Sequence, residues 1–259
     1  MKTFHKIYLQ SDDEVQKILQ EFGITVEKGF TSFQIEENAV FRELEPYLKS
    51  WEASDFSVST FDKSEEENAK HLVFMPGWQT LYPRPEDDYF LTTYDDSNLC
   101  RECGVGAVQK EPFRVSQTPK WGNKMFVLHW VFDEIFCQKE LYEQVFKDKL
   151  DFLPLLKYKT DTVIEDTVQL VLPITDSALK LDGCTYEICE MCQRKRYDLI
   201  NAGFFPSFEK KPPKELHLFK SKEWFGTGGD GRKYMFITQE LRKELIKHKV
   251  RGRYHPQLE

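Results

Sequence analysis

Two short cysteine motifs constrain this chain more than any other feature. Cys100-Arg-Glu-Cys103 and Cys189-Glu-Met-Cys192 each hold two thiols two residues apart, and 86 positions separate Cys103 from Cys189. A two-residue spacer lets both thiolates of a pair face one point from a tight knuckle, and Gly104 supplies the positive φ that closes such a turn. Four thiolates satisfy a tetrahedral Zn²⁺ and leave no open coordination position. The motifs therefore predict one structural zinc ion per chain, with Cys100, Cys103, Cys189 and Cys192 as ligands. The gap between the pairs is far longer than in a compact zinc ribbon. A folded insertion is expected between the knuckles, with metal clipping its two ends together. A redox reading of either pair needs a helix starting at the motif, whereas Gly104-Val-Gly106 follows the first pair and starts a helix poorly. Cys137 sits among apolar neighbours and reads as a small buried hydrophobe, while Cys184, five positions before Cys189, stays open as a substitute ligand.

The rest of the composition suits a packed domain around such a clip. Of 259 residues 40% are hydrophobic, and 21 Phe, 11 Tyr and 5 Trp carry much apolar area per residue. There are 36 Lys and Arg against 43 Asp and Glu, a formal charge of −7. Such a field does not steer the chain toward phosphate backbones, and it suits capture of a basic partner. The most apolar stretch, 125–132, is much shorter than the ~20 residues of a membrane span. Residues 1–10 carry Lys2, His5 and Lys6 with no long apolar run behind them, so no signal peptide is read and a cytoplasmic location is expected. Six cysteines there are expected to be thiols or metal ligands.

Periodicity predicts an α+β fold, mostly antiparallel sheet with flanking helices. Strands are expected at 4–9, 56–61 and 72–75, and helices at 12–22 and 37–51, where the apolar residues keep one face. A charged turn or short helix is expected at 64–70, and a strand or strand pair at 162–172. Two later passages echo each other. Residues 125–131 read as strand and 133–146 as helix, ending in Phe152-Leu-Pro154; residues 234–237 read as strand and 238–247 as helix, capped by Thr238 and ending in Tyr254-His-Pro256. These suggest a weakly repeated strand–helix unit at about 121–156 and 218–258, against the alternative of two ordinary, unrelated units. Two regions result: an N-terminal α/β segment at 1–80, separate or part of the same domain, and a zinc-clipped region at 81–259.

Catalytic motifs are not found in the sequence, and no catalytic residue is assigned. None of the six His makes a metal-ligand spacing, and His129, alternating with aromatics, reads as a core histidine. The 226–231 glycine run lacks the Lys-Ser/Thr of a phosphate loop and reads as a hairpin tip. Asp87-Asp88 and Asp95-Asp96 read as solvated loop acids rather than paired catalytic carboxylates. Arg194-Lys195-Arg196-Tyr197 follows the second cysteine pair directly. Basic residues beside a zinc ribbon can grip nucleic acid, so Arg194, Lys195 and Arg196 form the alternative site of a nucleic-acid-binding protein; the competing reading is a solvated charged face. A second basic cluster lies at 247–253.

Taken together, Tyr82-Pro-Arg-Pro-Glu86, Cys100-x-x-Cys103-Gly104, Pro119-Lys-Trp-Gly122, Trp130-Val-Phe-Asp-Glu134 and Cys189-x-x-Cys192 resemble the double-CxxCG proteins. Members of that group are assigned as immunity proteins of bacterial polymorphic toxin systems. The strand–helix–aromatic-x-Pro unit is similar to units of related immunity-type domains. The resemblance runs from Tyr82 to the C-terminus and departs at Gln193, where the pattern has Gly after the second pair. It implies a zinc-stabilised, non-catalytic protein that binds and neutralises a protein partner such as a cognate toxin, with Cys100, Cys103, Cys189 and Cys192 as ligands.

Overall fold

The computed structural model describes residues 1–226 and 231–258. They form two compact units, Met1–Glu66 with Ile200–Phe204, and Glu67–Leu199 with Phe205–Glu259.

The first unit runs β1 (Lys2–Ser11), α1 (Asp13–Glu21), β2 (Gly29–Glu36), α2 (Ala39–Ser50), β3 (Ser54–Thr60). β1 is central, with β2 and β3 antiparallel on either side. Alternation along β1 sends Ile7 and Leu9 to one face, where they pack on Val15 and Leu19 of α1 and Phe41, Leu44 and Leu48 of α2. The Asp12 carboxylate accepts the Glu14 and Val15 amides at the start of α1, and Asn38 accepts the Phe41 amide at the start of α2. β2 was not anticipated, because its side chains are mostly half-buried or exposed and give no strong apolar alternation.

A short helix, α3 (Lys63–Asn68), lies across the sequence boundary between the units. The second unit continues with β4 (His71–Pro76), α4 (Tyr89–Thr93), β5 (Tyr94–Asp95), β6 (Val108–Gln109), β7 (Arg114–Val115), β8 (Met125–Leu128), β9 (Val131–Gln138) and α5 (Lys139–Leu141), which runs on as a π-turn over Tyr142–Phe146. Then come β10 (Phe152–Lys157), β11 (Val163–Leu170), β12 (Tyr186–Ile188), β13 (Lys195–Tyr197), β14 (Leu218–Lys220), β15 (Trp224–Phe225), β16 (Met235–Thr238), α6 (Gln239–Lys247) and β17 (Gly252–Pro256). The sheets have the orders β7-β10-β11-β9-β8, β14-β16-β4-β17, β12-β13-β15 and β5-β6, and nearly all pairings are antiparallel. The fold is α+β. β4, in the sequence region first grouped with the N-terminal segment, is an inner strand of the second unit.

One apolar cluster joins the four- and five-stranded sheets to their helices through Leu72, Phe74, Ile135, Phe146, Leu241 and Leu245. A second, with Phe113, Phe126, Phe136 and Leu155, includes the residues of the five-stranded sheet that point away from the first. The expected helix over 133–146 is therefore corrected. Residues Val131–Gln138 are strand, and only the last part is helical. Ile135 and Cys137 enter one core cluster and Phe136 the other. A strand buried on both faces reads as a continuous apolar run, which periodicity cannot separate from a helix.

The echo becomes a shared topology. β9, α5 and β10 flank β11, and β16, α6 and β17 flank β4; in each case both outer strands run antiparallel to the central one. Phe152-x-Pro154 and Tyr254-x-Pro256 occupy the second outer strand of each unit. β2, α2 and β3 flank β1 in the same way, a third copy without the aromatic-x-Pro signature.

A buried ion pair ties β9 to β14. Lys220 Nζ lies 2.5 Å from Glu134 Oε1 and 3.9 Å from Asp133, and the Gln169 amide donates to Glu134 Oε2 at 3.2 Å. Burial pushes the Glu134 carboxyl above its ordinary range, partly offset by Lys220. Burial pulls the Lys220 ammonium down, but Asp133 and Glu134 outweigh it and hold the group above its usual range.

Candidate metal centre

The first knuckle lies between β5 and β6, the second between β12 and β13. Both close with the same backbone pattern. The Cys100 amide donates to Val105 O (2.9 Å) and the Gly104 amide to Cys100 O (2.8 Å). The Cys189 amide donates to Arg194 O (3.1 Å) and the Gln193 amide to Cys189 O (2.8 Å). Gly104 has φ 70° and Gln193 φ 59°. Gln193 thus takes the left-handed conformation that glycine takes in the first knuckle, and the departure from the CxxCG pattern leaves the turn intact.

The two turns bring all four Sγ atoms within 4.8 Å of one another, with Cys100 3.6 Å from Cys189 and Cys103 3.6 Å from Cys192. Metal–sulfur bonds of about 2.3 Å in a tetrahedron place neighbouring sulfurs about 3.8 Å apart. The arrangement therefore fits a single ion. Among the described residues this is the only group of three or more His, Cys, Asp or Glu close enough to hold one. All six cysteines are free thiols. Cys137 is fully buried in β9 and Cys184 is half-buried; neither belongs to the group.

Electrostatics differ between the two thiols of the first pair. The Cys103 amide, donating to Cys100 Sγ, brings that thiol down to about 7. Burial pushes the Cys103 thiol up to about 12. A bound cation would favour the thiolate form of both groups. Val105, itself fully buried, packs beside the pair, with Trp224 against the group.

The basic run after the second pair reaches across to the first. Arg194 Nη1 donates to Asn98 O (2.6 Å) and Val105 O (2.9 Å). Arg196, 6% exposed, donates from Nη1 to Cys103 O (2.8 Å) and pairs through Nη2 with Glu187 (3.1 Å). Lys195 Nζ sits 3.7 Å from the Tyr186 ring centroid and 4.9 Å from that of Tyr197. The two arginines are hydrogen-bonded clasps between the knuckles, a role that a charge run in sequence does not reveal. Gly106 was also missed. At φ 108° a Cβ there would stand 2.1 Å from both Asn98 O and Arg194 Nη1, so only glycine admits the clasp.

Elsewhere, Phe225 and Arg232 form an isolated antiparallel bridge, and the hairpin tip expected over 226–231 falls largely on residues 227–230, which lie outside the described residues. His129 is not a core residue. It is half-buried at the β8–β9 turn and stacks on Tyr82 at 4.3 Å. Asp95, at the end of β5, accepts the Ser97 amide, Asp96 pairs with Arg101, and Asp87 and Asp88 are exposed. Among the described residues no helix is long and apolar enough to cross a membrane. The sequence matches no model of a known protein family, and no curated protein matches it.

Proposed function

We propose that Cys100, Cys103, Cys189 and Cys192 hold one structural Zn²⁺, and that the chain is a non-catalytic cytoplasmic protein that binds a protein partner as an immunity protein neutralising a bacterial toxin. The observation that carries the reading is the closed group of four thiols, clasped by Arg194 and Arg196. Soft thiolates select zinc over the hard cations, and sulfurs this close leave room for one ion rather than a cluster. A four-sulfur shell has no open position for substrate, so the metal's contribution is to folding. The reduced thiols suit a cytoplasmic setting. The acidic balance and the resemblance to double-CxxCG proteins support the partner.

The same geometry weighs against a nucleic-acid interface on Arg194, Lys195 and Arg196. Both guanidinium groups are engaged with backbone carbonyls of the opposite knuckle, and the Lys195 ammonium lies over tyrosine rings. The test is a pull-down of the tagged, zinc-loaded chain from its native cells. One stoichiometric protein whose toxicity the chain suppresses is the expected result. Nucleic acid without a protein partner would favour the alternative reading.

A further inference from the structure

The four thiols of the knuckles are not equally open to solvent. Cys100 is 9% exposed and Cys103 4%, and both pack against the buried Val105. Cys189 and Cys192 are half-buried, and the residues around them, Ile188, Glu190, Met191 and Gln193, are exposed. The two Sγ contacts of 3.6 Å run across the knuckles, Cys100 to Cys189 and Cys103 to Cys192. Each cross pair therefore joins a thiol that a small solute reaches to one that is sheltered from it.

An accessible thiol beside a second thiol is the arrangement that turns oxidation into a disulfide. Nearness here does not depend on a metal. Arg194 donates to Asn98 O and Val105 O, and Arg196 to Cys103 O, so the second knuckle is held against the first by protein alone. From 3.6 Å the paired sulfurs have about 1.5 Å to close to reach a disulfide bond.

We propose that this group is a modification site for hydroperoxides, at which Cys189 and Cys192 are oxidised first and Cys100 and Cys103 resolve them into two disulfides across the knuckles. In each pair the exposed thiol takes one peroxide oxygen, becoming a sulfenic acid as the O–O bond breaks and one water leaves. The sheltered thiol then attacks that sulfur, the S–S bond forms and the sulfenic oxygen leaves as a second water. Each disulfide thus consumes one hydrogen peroxide, which is reduced as two thiols are oxidised. Out of reach of the oxidant, Cys100 and Cys103 react only with an oxidised sulfur of the second knuckle. The cross-links tie the same two ends of the insertion that a metal would tie. Disulfide sulfurs are not thiolate ligands, so they give up a bound Zn²⁺, which has no redox chemistry of its own. Cys137, fully buried in β9, and Cys184, outside the group, keep their thiols. The proposal concerns the thiols, whose grouping stands apart from the zinc reading.

The experiment treats the full chain, zinc-loaded and chelator-stripped, with a few equivalents of hydrogen peroxide. Remaining thiols are blocked with N-ethylmaleimide in denaturant, and the peptides are mapped by mass spectrometry. The expected result is loss of four of the six thiols in both preparations, as peptides linking Cys100 to Cys189 and Cys103 to Cys192, reversed by dithiothreitol. In the native stripped chain, N-ethylmaleimide should label Cys189 and Cys192 at least about 10-fold faster than Cys100 and Cys103. Equal labelling, disulfides within Cys100–Cys103 or Cys189–Cys192, or a link to Cys184 overturns the proposal. So does oxidation that stops at sulfinic or sulfonic acid, or survival of the four thiols in either preparation. A chain that takes up no zinc yet forms both cross-links sinks the zinc reading alone and supports this one.

Discussion

At the scale of single residues, the metal centre depends on backbone conformation as much as on sulfur. Gln193 holds a left-handed conformation that costs an L side chain about 1–2 kcal/mol. Gln193→Gly should therefore raise the stability of the metal-loaded protein, by about 0.5–1 kcal/mol after the extra entropy of an unfolded glycine is subtracted. Denaturant midpoints of the two proteins check this, and a lower midpoint for the variant would contradict it. Lys233 is the other residue whose setting has a thermodynamic signature. Burial brings its ammonium down to about 8, although Nζ donates to Ser221 O (3.1 Å) and Lys222 O (2.5 Å). With a folded value below the unfolded one, the unfolded state binds more protons between about 8 and 10.5. Stability from this group is lowest below pH 8 and recovers as pH rises through that window. Parent minus Lys233→Met unfolding free energy should climb by about 1–3 kcal/mol from pH 7.5 to pH 10. A flat difference would show that Lys233 titrates normally.

At the scale of elements, the ion pair between β9 and β14 is a fixed point of the second unit. Lys220 and Glu134 are both almost fully buried. Removing one partner leaves the other as an uncompensated buried charge. Lys220→Met is expected to destabilise by about 3–5 kcal/mol, and replacing both Lys220 and Glu134 with apolar residues to recover much of that loss. Equilibrium unfolding of the two single variants and the double variant measures the coupling; additive losses would mean that the pair is not coupled. The knuckles show the same dependence of element on partner. Each hairpin is short, and each borrows hydrogen bonds from the other through Arg194 and Arg196. Loss of the Arg196 guanidinium in Arg196→Met should cost about 1–3 kcal/mol even with metal bound, because Cys103 O then loses a buried donor.

At the scale of the whole molecule, a metal held by the two knuckles would close a long loop. The five-stranded sheet, β7 to β11, lies in sequence between the two knuckles. About one zinc per chain is expected by elemental analysis. Chelation should lower the melting temperature and open the 104–188 segment's ends to limited proteolysis, because the metal's binding free energy is also folding free energy. Cys100→Ser should weaken zinc retention in the same assay. A metal-free protein with unchanged melting would end the zinc proposal.

The grouping of the four thiols, the α+β class and most helices were legible in the sequence because each depends on local chemistry: thiol spacing, a cap, one apolar face. Thr238 caps α6, the helix it was read to cap. What was not legible depended on residues far apart in sequence. β9 was mistaken for helix because both of its faces are buried, Ile135 and Cys137 in one core cluster and Phe136 in the other, which removes the alternation that marks a strand. β2 has no strong alternation of its own and is held as a strand by pairing with β1. Arg194 and Arg196 looked like a solvated or nucleic-acid-facing run until the fold brought Asn98, Cys103 and Val105 to them. The sequence by itself determined which four thiols would come together in one group. Only the tertiary structure decided which charges are clasps and which strand centres each split unit, because those interactions form only when distant segments meet.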